Sequence, residues 1–103
     1  QADANMWTWA TLGFTYGRMG EPDKARRVLV ELKRRFPKAY SRSSLFAIIQ
    51  IGLDQKEAAF ELLYKAYRER DVGMVWLKAD FVFDDLRSDP RFQDLLRKVG
   101  LEK

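Results

Sequence analysis

The stretch "GFTYGRMG", residues 13–20, contains three glycines in eight positions. It lies inside a segment with helical spacing of apolar residues, because Trp9, Leu12 and Tyr16 fall at i, i+3 and i+7 on one face. A glycine inside a helix costs about 1 kcal/mol relative to alanine, so Gly13 needs a structural reason. We expect that reason to be the close approach of a second helix, whose distance depends on the side chains at the contact.

The chain repeats itself at an offset of 34 residues without a gap. Small residues fall on small ones and large apolar residues on large apolar ones, as in the pairs Gly13 with Ala47, Phe14 with Ile48, Ala25 with Ala59, and Leu29 with Leu63. The turn repeats as well, since Gly20 falls on Asp54. Self-similarity at a fixed period of this length is typical of helical-repeat proteins, so two tandem units are expected.

Each unit has the pattern of two helices joined by a short turn. Gly20 accepts the positive φ found at helix ends, and Pro22 suits the first position of the next helix. That helix is expected to bury a stripe of four residues, Ala25, Val28, Leu29 and Leu32. The second unit predicts helices near 40–53 and 56–69, and short turns favour antiparallel pairs. Gly13 and its aligned small residues are expected where the two helices of a pair come closest, with Gly17 extending the same path.

These residues resemble the tetratricopeptide repeat, a helix–turn–helix family with a period of about 34 residues. The first unit carries the family pattern at Trp9, Leu12, Gly13, Tyr16, Ala25, Leu29, Leu32 and Pro37. The second unit keeps Phe46, Ala47, Ala59, Leu63 and Ala66, but has Ser43, Gln50 and Asp71 in place of the tryptophan, tyrosine and proline. The resemblance implies an all-α, right-handed α-solenoid of antiparallel helix pairs, with repeats at 6–39 and 40–73.

Residues 74–103 begin a third unit that loses the repeat phase after Lys78. We expect a short helix near 72–79, then a loop around "FVFDDLRSD" (81–89), and a last helix from about 90 to 99. Ser88 or Asp89 would cap this last helix, Pro90 would begin it and Gly100 would close it.

This degenerate repeat and capping helix would complete a single domain of residues 1–103, because repeat arrays need a terminal unit that is polar outside. Phe92, Leu95, Leu96 and Val99 are expected to cover the preceding unit. The tail is similar to the C-terminal tetratricopeptide segment of bacterial multidomain proteins. Because the chain opens with Gln1 rather than Met, we expect a fragment of a longer protein or a processed start.

The composition excludes several kinds of chemistry. The chain contains no Cys and no His, so it has no thiolate nucleophile, no common zinc-ligand set and no imidazole for acid–base catalysis. The carboxylates Asp80, Asp84, Asp85 and Asp89 are expected to be turn and cap residues beside arginines. No apolar run approaches the length of a membrane span. We therefore expect a cytoplasmic protein that is not an enzyme and that has no metal or cofactor.

The net charge of +4 is concentrated in one part of the chain, since nine basic and three acidic residues lie between Arg18 and Arg42. The basic run "KARRVLVELKRRFPK" (24–38) falls on the second helix of unit one, whereas its counterpart "EAAFELLYKAY" (57–67) is not basic. A repeat protein that reads RNA would repeat its recognition residues, so nucleic acid is not expected as a partner. The run is expected to be a solvated face, with contact to an anionic surface as a further alternative.

The resemblance implies that a protein or peptide partner binds in a concave groove lined by the first helix of each unit. The groove positions correspond to Trp7, Ala10, Phe14, Gly17, Arg18, Ser41, Ser44, Ile48, Ile51, Val75 and Lys78. The Lys and Asn clamp with which some family members hold a terminal carboxylate is absent. An apolar groove edged by Arg18 and Lys78 would suit an amphipathic helix with acidic flanks. For Phe14 and Ile48, ordinary packing between hairpins is the alternative.

The expected function is therefore protein–protein interaction, as a scaffold segment at the C-terminal end of a larger signalling or regulatory protein. The alternative is a structural module that caps a repeat array and docks on its own protein or dimerises. Trp7 bears on this alternative, because Trp9 already takes the structural position and the two point to different sides of a helix. Trp7 would then meet a preceding repeat, or serve as the exposed anchor of a homodimer through the N-terminal face.

Overall fold

The computed structural model describes residues 2–37 and 42–100, and within these ranges the protein is all-α, with helices and turns but no strand. The α-helices are α1 (Ala2–Arg18), α2 (Pro22–Arg35), α3 (Ser43–Gly52), α4 (Lys56–Arg68) and α5 (Pro90–Lys98). The 3₁₀ helices Val72–Trp76 and Phe81–Leu86 connect α4 to α5. Among the described helices, none combines the length and the apolar character that crossing a lipid bilayer requires.

The turn between α1 and α2 recurs between α3 and α4. Gly20 has a φ of 77°, and Asp54, at the aligned position, has a φ of 61°. The N–H groups of Glu21 and Gln55 each donate to the carbonyl five residues earlier, at 2.9 Å in both turns. Aspartate is one of the few residues with a side chain that tolerates this backbone region. The second turn can therefore have the same conformation with Asp54 at the position aligned with Gly20. The predicted correspondence of the two turns is confirmed.

Helix α3 forms the centre of the fold. Nine of its ten residues are buried. Helices α1 and α4 pack against it, and both 3₁₀ helices contact it as well. Its sequence "LFAIIQI" (45–51) is apolar almost all round, and a helix of that kind is stable only when neighbours surround it. The radius of gyration, 12.7 Å, matches the value of about 13 Å for a compact domain of this size.

The closest backbone approach lies between α1 and α3. Gly17 rests against the backbone of Gly52, and Gly52 rests against the backbone of Phe14. A methyl group added to Gly52 would lie 2.5 Å from the Phe14 carbonyl oxygen, which is far inside van der Waals contact. Two helices can meet this closely only because both crossing positions lack a side chain.

Gly13 has a different environment, which corrects the expectation placed on it. A methyl group there would meet side-chain atoms, Ile49 Cγ1 at 2.9 Å and Val28 Cγ1 at 3.2 Å. Gly13 therefore makes room for side chains from α3 and α2, whereas the tightest contact joins the backbones of α1 and α3. Period and spacing located the small residues but did not indicate which neighbour each one faces.

The connection after α4 differs from the prediction. The helix expected near 72–79 is a 3₁₀ helix that ends at Trp76, and most of the loop expected at 81–89 is the second 3₁₀ helix. Asp80 caps this second helix by accepting a hydrogen bond from Val82 N at 3.1 Å. Tight 3₁₀ turns are favoured in such short connecting runs.

The predicted last helix is confirmed as α5. Asp89 caps it by accepting a hydrogen bond from Arg91 N at 2.9 Å, Pro90 begins it, and Gly100 follows it with a φ of 80°. The expected covering residues Phe92, Leu95 and Leu96 are buried and Val99 is half-buried. The outer side of α5 is polar, with exposed Gln93, Arg97 and Lys98.

Arg91 connects α5 to α4. Its guanidinium lies 4.1 Å from the centroid of the Phe60 ring and donates to both carboxylate oxygens of Glu57, at 2.8 and 3.1 Å. It also donates to Asp89, at 2.9 and 3.1 Å. These hydrogen bonds stabilise the carboxylates, so they lower the pKa of Glu57 and lower the pKa of Asp89 to about 2.

We expect Gly17→Ala and Gly52→Ala each to lower the free energy of unfolding by about 2–3 kcal/mol, because a methyl group must separate two backbones. Gly13→Ala should cost less, since the Ile49 side chain can shift and alanine favours the helix by about 1 kcal/mol. Urea unfolding followed by circular dichroism compares the three variants. Equal losses at all three positions would contradict the assignment of the crossing to Gly17 and Gly52.

The Asp89 carboxylate should make the free energy of unfolding depend on pH in the acid range. Its pKa falls from 3.8 to about 2 on folding, so its contribution is complete above about pH 4 and is lost as the pH falls towards 2. Asp89→Asn keeps a capping side chain but removes the charge. The variant should be less stable than the wild type at pH 7, with the difference closing between pH 4 and pH 2. Glu61→Gln controls for net charge. A stability difference between wild type and Asp89→Asn that does not change with pH would refute the lowered pKa of Asp89.

Candidate interaction surface

The predicted groove residues on α1 fall into two groups. Ala10 and Phe14 are buried, and Gly17 lies against α3. Trp7 is half-buried, and Arg18 is exposed at the end of the helix. Ala10 and Phe14 thus form part of the interior, whereas Trp7 is partly open and Arg18 is exposed.

The remaining predicted residues divide in the same way. Ser44, Ile48 and Ile51 on α3 are buried, whereas Val75 and Lys78 are exposed. Ser41 lies outside the described residues. The floor expected for the groove is therefore inside the fold, and the physical reason is that the chain itself covers it.

The cover is the segment of residues 71–86, hereafter the covering segment. Phe81 packs its ring edge-on against Phe14, with centroids 5.7 Å apart. Asp85 pairs with Arg18. The 3₁₀ helices of the segment also contact α3. The face that the resemblance implies as an open groove is thus occupied by the chain's own tail.

Trp7 packs against the same segment. Its indole N–H donates to Asp80 Oδ2 at 3.1 Å, and its ring lies against Gly73, where a methyl group would be 3.0 Å from Trp7 Cζ3. The expectation that Trp7 meets a preceding repeat or serves as the anchor of a homodimer stays a prediction, although part of the side chain is already occupied by these contacts. No local sequence signal indicated them, because the partners are 66 and 73 residues away.

Asp71 holds the start of the covering segment. Its buried carboxylate accepts hydrogen bonds from Ser44 N at 2.9 Å, Gly73 N at 2.8 Å and Arg42 Nε at 2.8 Å. The N-cap residue of α3, Arg42, makes no side-chain cap of its own, so Asp71 supplies the acceptor that this helix end needs. One side chain thereby joins two helix starts and anchors the covering segment to α3.

The covering segment turns four large apolar side chains towards solvent. Their exposed fractions are 61% for Val72, 62% for Val75, 52% for Trp76 and 60% for Phe81. We call these residues the exposed patch. Sequence reasoning selected only Val75; in a 3₁₀ helix, which has three residues per turn, Val72 and Val75 fall on one face.

The carboxylates of the tail act as expected. Asp80 and Asp89 cap helices, while Asp84 pairs with Arg87 at 2.8 Å and Asp85 pairs with Arg18. Within the described ranges, no group of three or more acidic side chains has a geometry that could hold a metal ion. The prediction that these residues are turn and cap residues beside arginines is confirmed.

The basic residues of α2 are largely exposed and several are paired within the helix. Glu31 accepts hydrogen bonds from Arg34 at 2.7 Å and from Arg35 at 3.0 Å, and these two partners lower the pKa of Glu31. Arg26 pairs with Asp23 at 3.3 Å. Such exposed pairs contribute little stability. The helix therefore presents a hydrated, mainly positive face.

Comparisons of the chain with family models, with curated proteins and with solved structures find no significant match. The class of protein is thus defined by the fold and the surface alone, as a small all-α domain whose described surface offers apolar patches with charged edges.

Two adjacent serines at the start of α3 give a matched test of the cover. The Ser44 hydroxyl is buried and makes no hydrogen bond to the described residues, whereas Ser43 donates to Glu69 at 3.0 Å. Ser44→Ala should leave the free energy of unfolding unchanged or raise it by about 1 kcal/mol, and Ser43→Ala should lower it by about 1 kcal/mol. Thermal unfolding measures both. A loss at Ser44 as large as that at Ser43 would contradict the burial of Ser44 under Gly73.

Proposed function

We propose that this chain is a protein-interaction module of the helical-repeat type, similar to a tetratricopeptide array. In this proposal α1–α2 and α3–α4 are two units of a right-handed solenoid, and the tail with α5 is the degenerate third unit. The recurrence of the same turn at Gly20 and Asp54 supports the repeat. The polar outer side of α5 supports a closed C-terminal end.

The observation that carries the proposal is the exposed patch. Exposed apolar surface that is contiguous marks interaction sites, and the four large exposed side chains of the patch lie within ten residues of the chain. Tryptophan and phenylalanine provide large apolar contact areas, and tryptophan is enriched among the residues that dominate binding energy. A peptide or helix lying across the patch would bury these side chains, and Lys78 and Arg18 would lie at its edge.

The proposed mechanism is apolar burial on a preformed surface. The underlying contacts of Phe81 with Phe14 and of Trp7 with Asp80 fix the patch before the partner arrives. A surface that is already ordered loses less conformational entropy on binding. We further propose that the module works in the cytoplasm, as the C-terminal part of a larger signalling or regulatory protein.

A second candidate function is a structural module that closes a repeat array by docking on itself. It is favoured by the covering segment, which occupies the face of α1 and α3 where a partner was expected. In this candidate the tail is the ligand of the array, and the exposed patch serves to join copies of the protein.

The exposed patch should be required for binding. A random peptide library displayed on phage, selected against the purified chain, should yield peptides whose affinity falls at least tenfold on Trp76→Asp or Phe81→Asp. Val30→Asp, at an exposed apolar position on α2, is the matched control and should bind normally. Circular dichroism verifies that each variant is folded.

Two results would contradict the primary proposal. One is the absence of any enriched peptide, and the other is peptide binding that is equal in the wild type and in both patch variants. If sedimentation instead reveals a dimer that Trp76→Asp dissociates, the second candidate function is favoured.

A further inference from the structure

The first hairpin has a groove of its own on the surface of α1 and α2. Trp9, Leu12 and Tyr16 form one wall, at the i, i+3, i+7 spacing of a single helix face, and buried Val28 lies between the two helices. The groove has a volume of about 400 Å³ and its lining comes from these two helices alone. It is separate from the exposed patch, so a ligand bound there would go beyond the function proposed above.

The second hairpin has the same groove at positions shifted by 34 residues. A cavity of about 330 Å³ there is lined by Ser43, Phe46, Gln50, Leu62 and Lys65, which are the counterparts of Trp9, Leu12, Tyr16, Val28 and Glu31. Its other two lining residues are Leu29 and Lys33, which belong to α2. In the second hairpin, therefore, a neighbouring helix already borders this groove.

Helix α2 indicates how an occupant binds. Leu29 and Lys33 lie one helical turn apart and both face the groove. Leu29 packs against the core, and the Lys33 ammonium lies 5.3 Å from the centroid of the Phe46 ring. The groove thus accepts an α-helix that presents an apolar residue and, one turn later, a charged one.

The sign of the charges differs between the two grooves. The edge of the first groove has Lys24, Arg27 and Arg35 with one acid, Glu31. The aligned positions of the second hairpin are Ala58, Glu61, Glu69 and Lys65, so one edge is net positive and the other net negative. The groove with the net negative edge is the one that the basic helix α2 borders. By the same complementarity, the net positive edge favours an acidic helix.

Two arrangements of a second copy, stacking through α5 and a symmetric contact of the basic edges, fit the first groove poorly. The outer side of α5 exposes Arg97 and Lys98, which would repel Lys24 and Arg27 if α5 of a second copy were stacked on the groove. A symmetric dimer would place the basic edge against itself. Like charges that face each other across an interface oppose binding.

We propose that the groove between α1 and α2 binds an acidic amphipathic α-helix of a partner protein. The helix seats apolar residues spaced one turn apart on Trp9, Leu12 and Tyr16, in the place that α2 has on the second hairpin. Its carboxylates face Lys24 and Arg27. Arg35 and Lys24 already lie over the rings of Trp9 and Tyr16, at 5.0 and 5.7 Å from their centroids, so the cations and the apolar wall form one continuous surface.

The probe is a stapled helical peptide with the sequence of residues 22–35 in which every Lys and Arg is replaced by Glu. The comparison peptide has the natural, basic sequence of the same residues. Fluorescence anisotropy of labelled peptide should give saturable binding of the acidic peptide, at least tenfold tighter than that of the basic one. Leu12→Asp should weaken this binding at least tenfold, while Val30→Asp, outside the groove, leaves it unchanged.

Charge reversal tests the proposal without relying on the apolar wall. The double variant Lys24→Glu with Arg27→Glu should prefer the basic peptide over the acidic one. Trp76→Asp should retain full binding of the acidic peptide. The groove is thus tested independently of whether the exposed patch binds a partner.

The proposal is overturned if the acidic peptide does not bind, if the charge-reversed variant keeps the original preference, or if Trp76→Asp abolishes binding. It is also overturned if the wild type forms a dimer that Leu12→Asp dissociates and that excludes the peptide, because a second copy then occupies the groove.

Discussion

The contact of α1 with α3 at Gly17 and Gly52 sets the geometry of the rest of the molecule. Because two backbones touch there, α1 and α3 lie close enough for one short segment to reach both. Phe14 and Arg18, which flank Gly17 on α1, are the residues that Phe81 and Asp85 contact. A wider spacing would leave an open channel above α3, whose apolar side chains would then face water. Close packing at two glycines and closure by the tail are thus two parts of one arrangement.

Local features of the fold were predictable from the sequence. The period of 34 residues located both turns, and the backbone conformations of Gly20 and Asp54 reflect residues that accept a positive φ. The start of α5 was readable because Asp89 and Pro90 are a strong local signal. The path of the tail was not predictable, because 3₁₀ helices leave no clear periodicity. Its position depends on contacts of Phe81 and Asp80 with residues more than 60 positions away.

The candidate site was predicted only in part, because its cover depends on contacts between residues that are far apart in the sequence. The resemblance implied that residues such as Ala10 and Ile48 line an open groove, but it could not reveal that both are buried in the fold. Asp71 was noted only as a departure from the proline of the pattern. In the fold it caps α3 across 27 residues and begins the cover, so the departure has a structural role. Apolar side chains remain accessible at the exposed patch and in the first groove, and the first groove has charged edges.

The most direct test of this arrangement is a nuclear Overhauser measurement between the α protons of Gly52 and the α proton of Phe14, in uniformly labelled protein. The backbone contact at this crossing predicts a strong cross-peak, accompanied by one between the rings of Phe14 and Phe81. Absence of the glycine cross-peak in a folded sample would contradict the packing of α1 against α3, and with it the closure of the face by the tail.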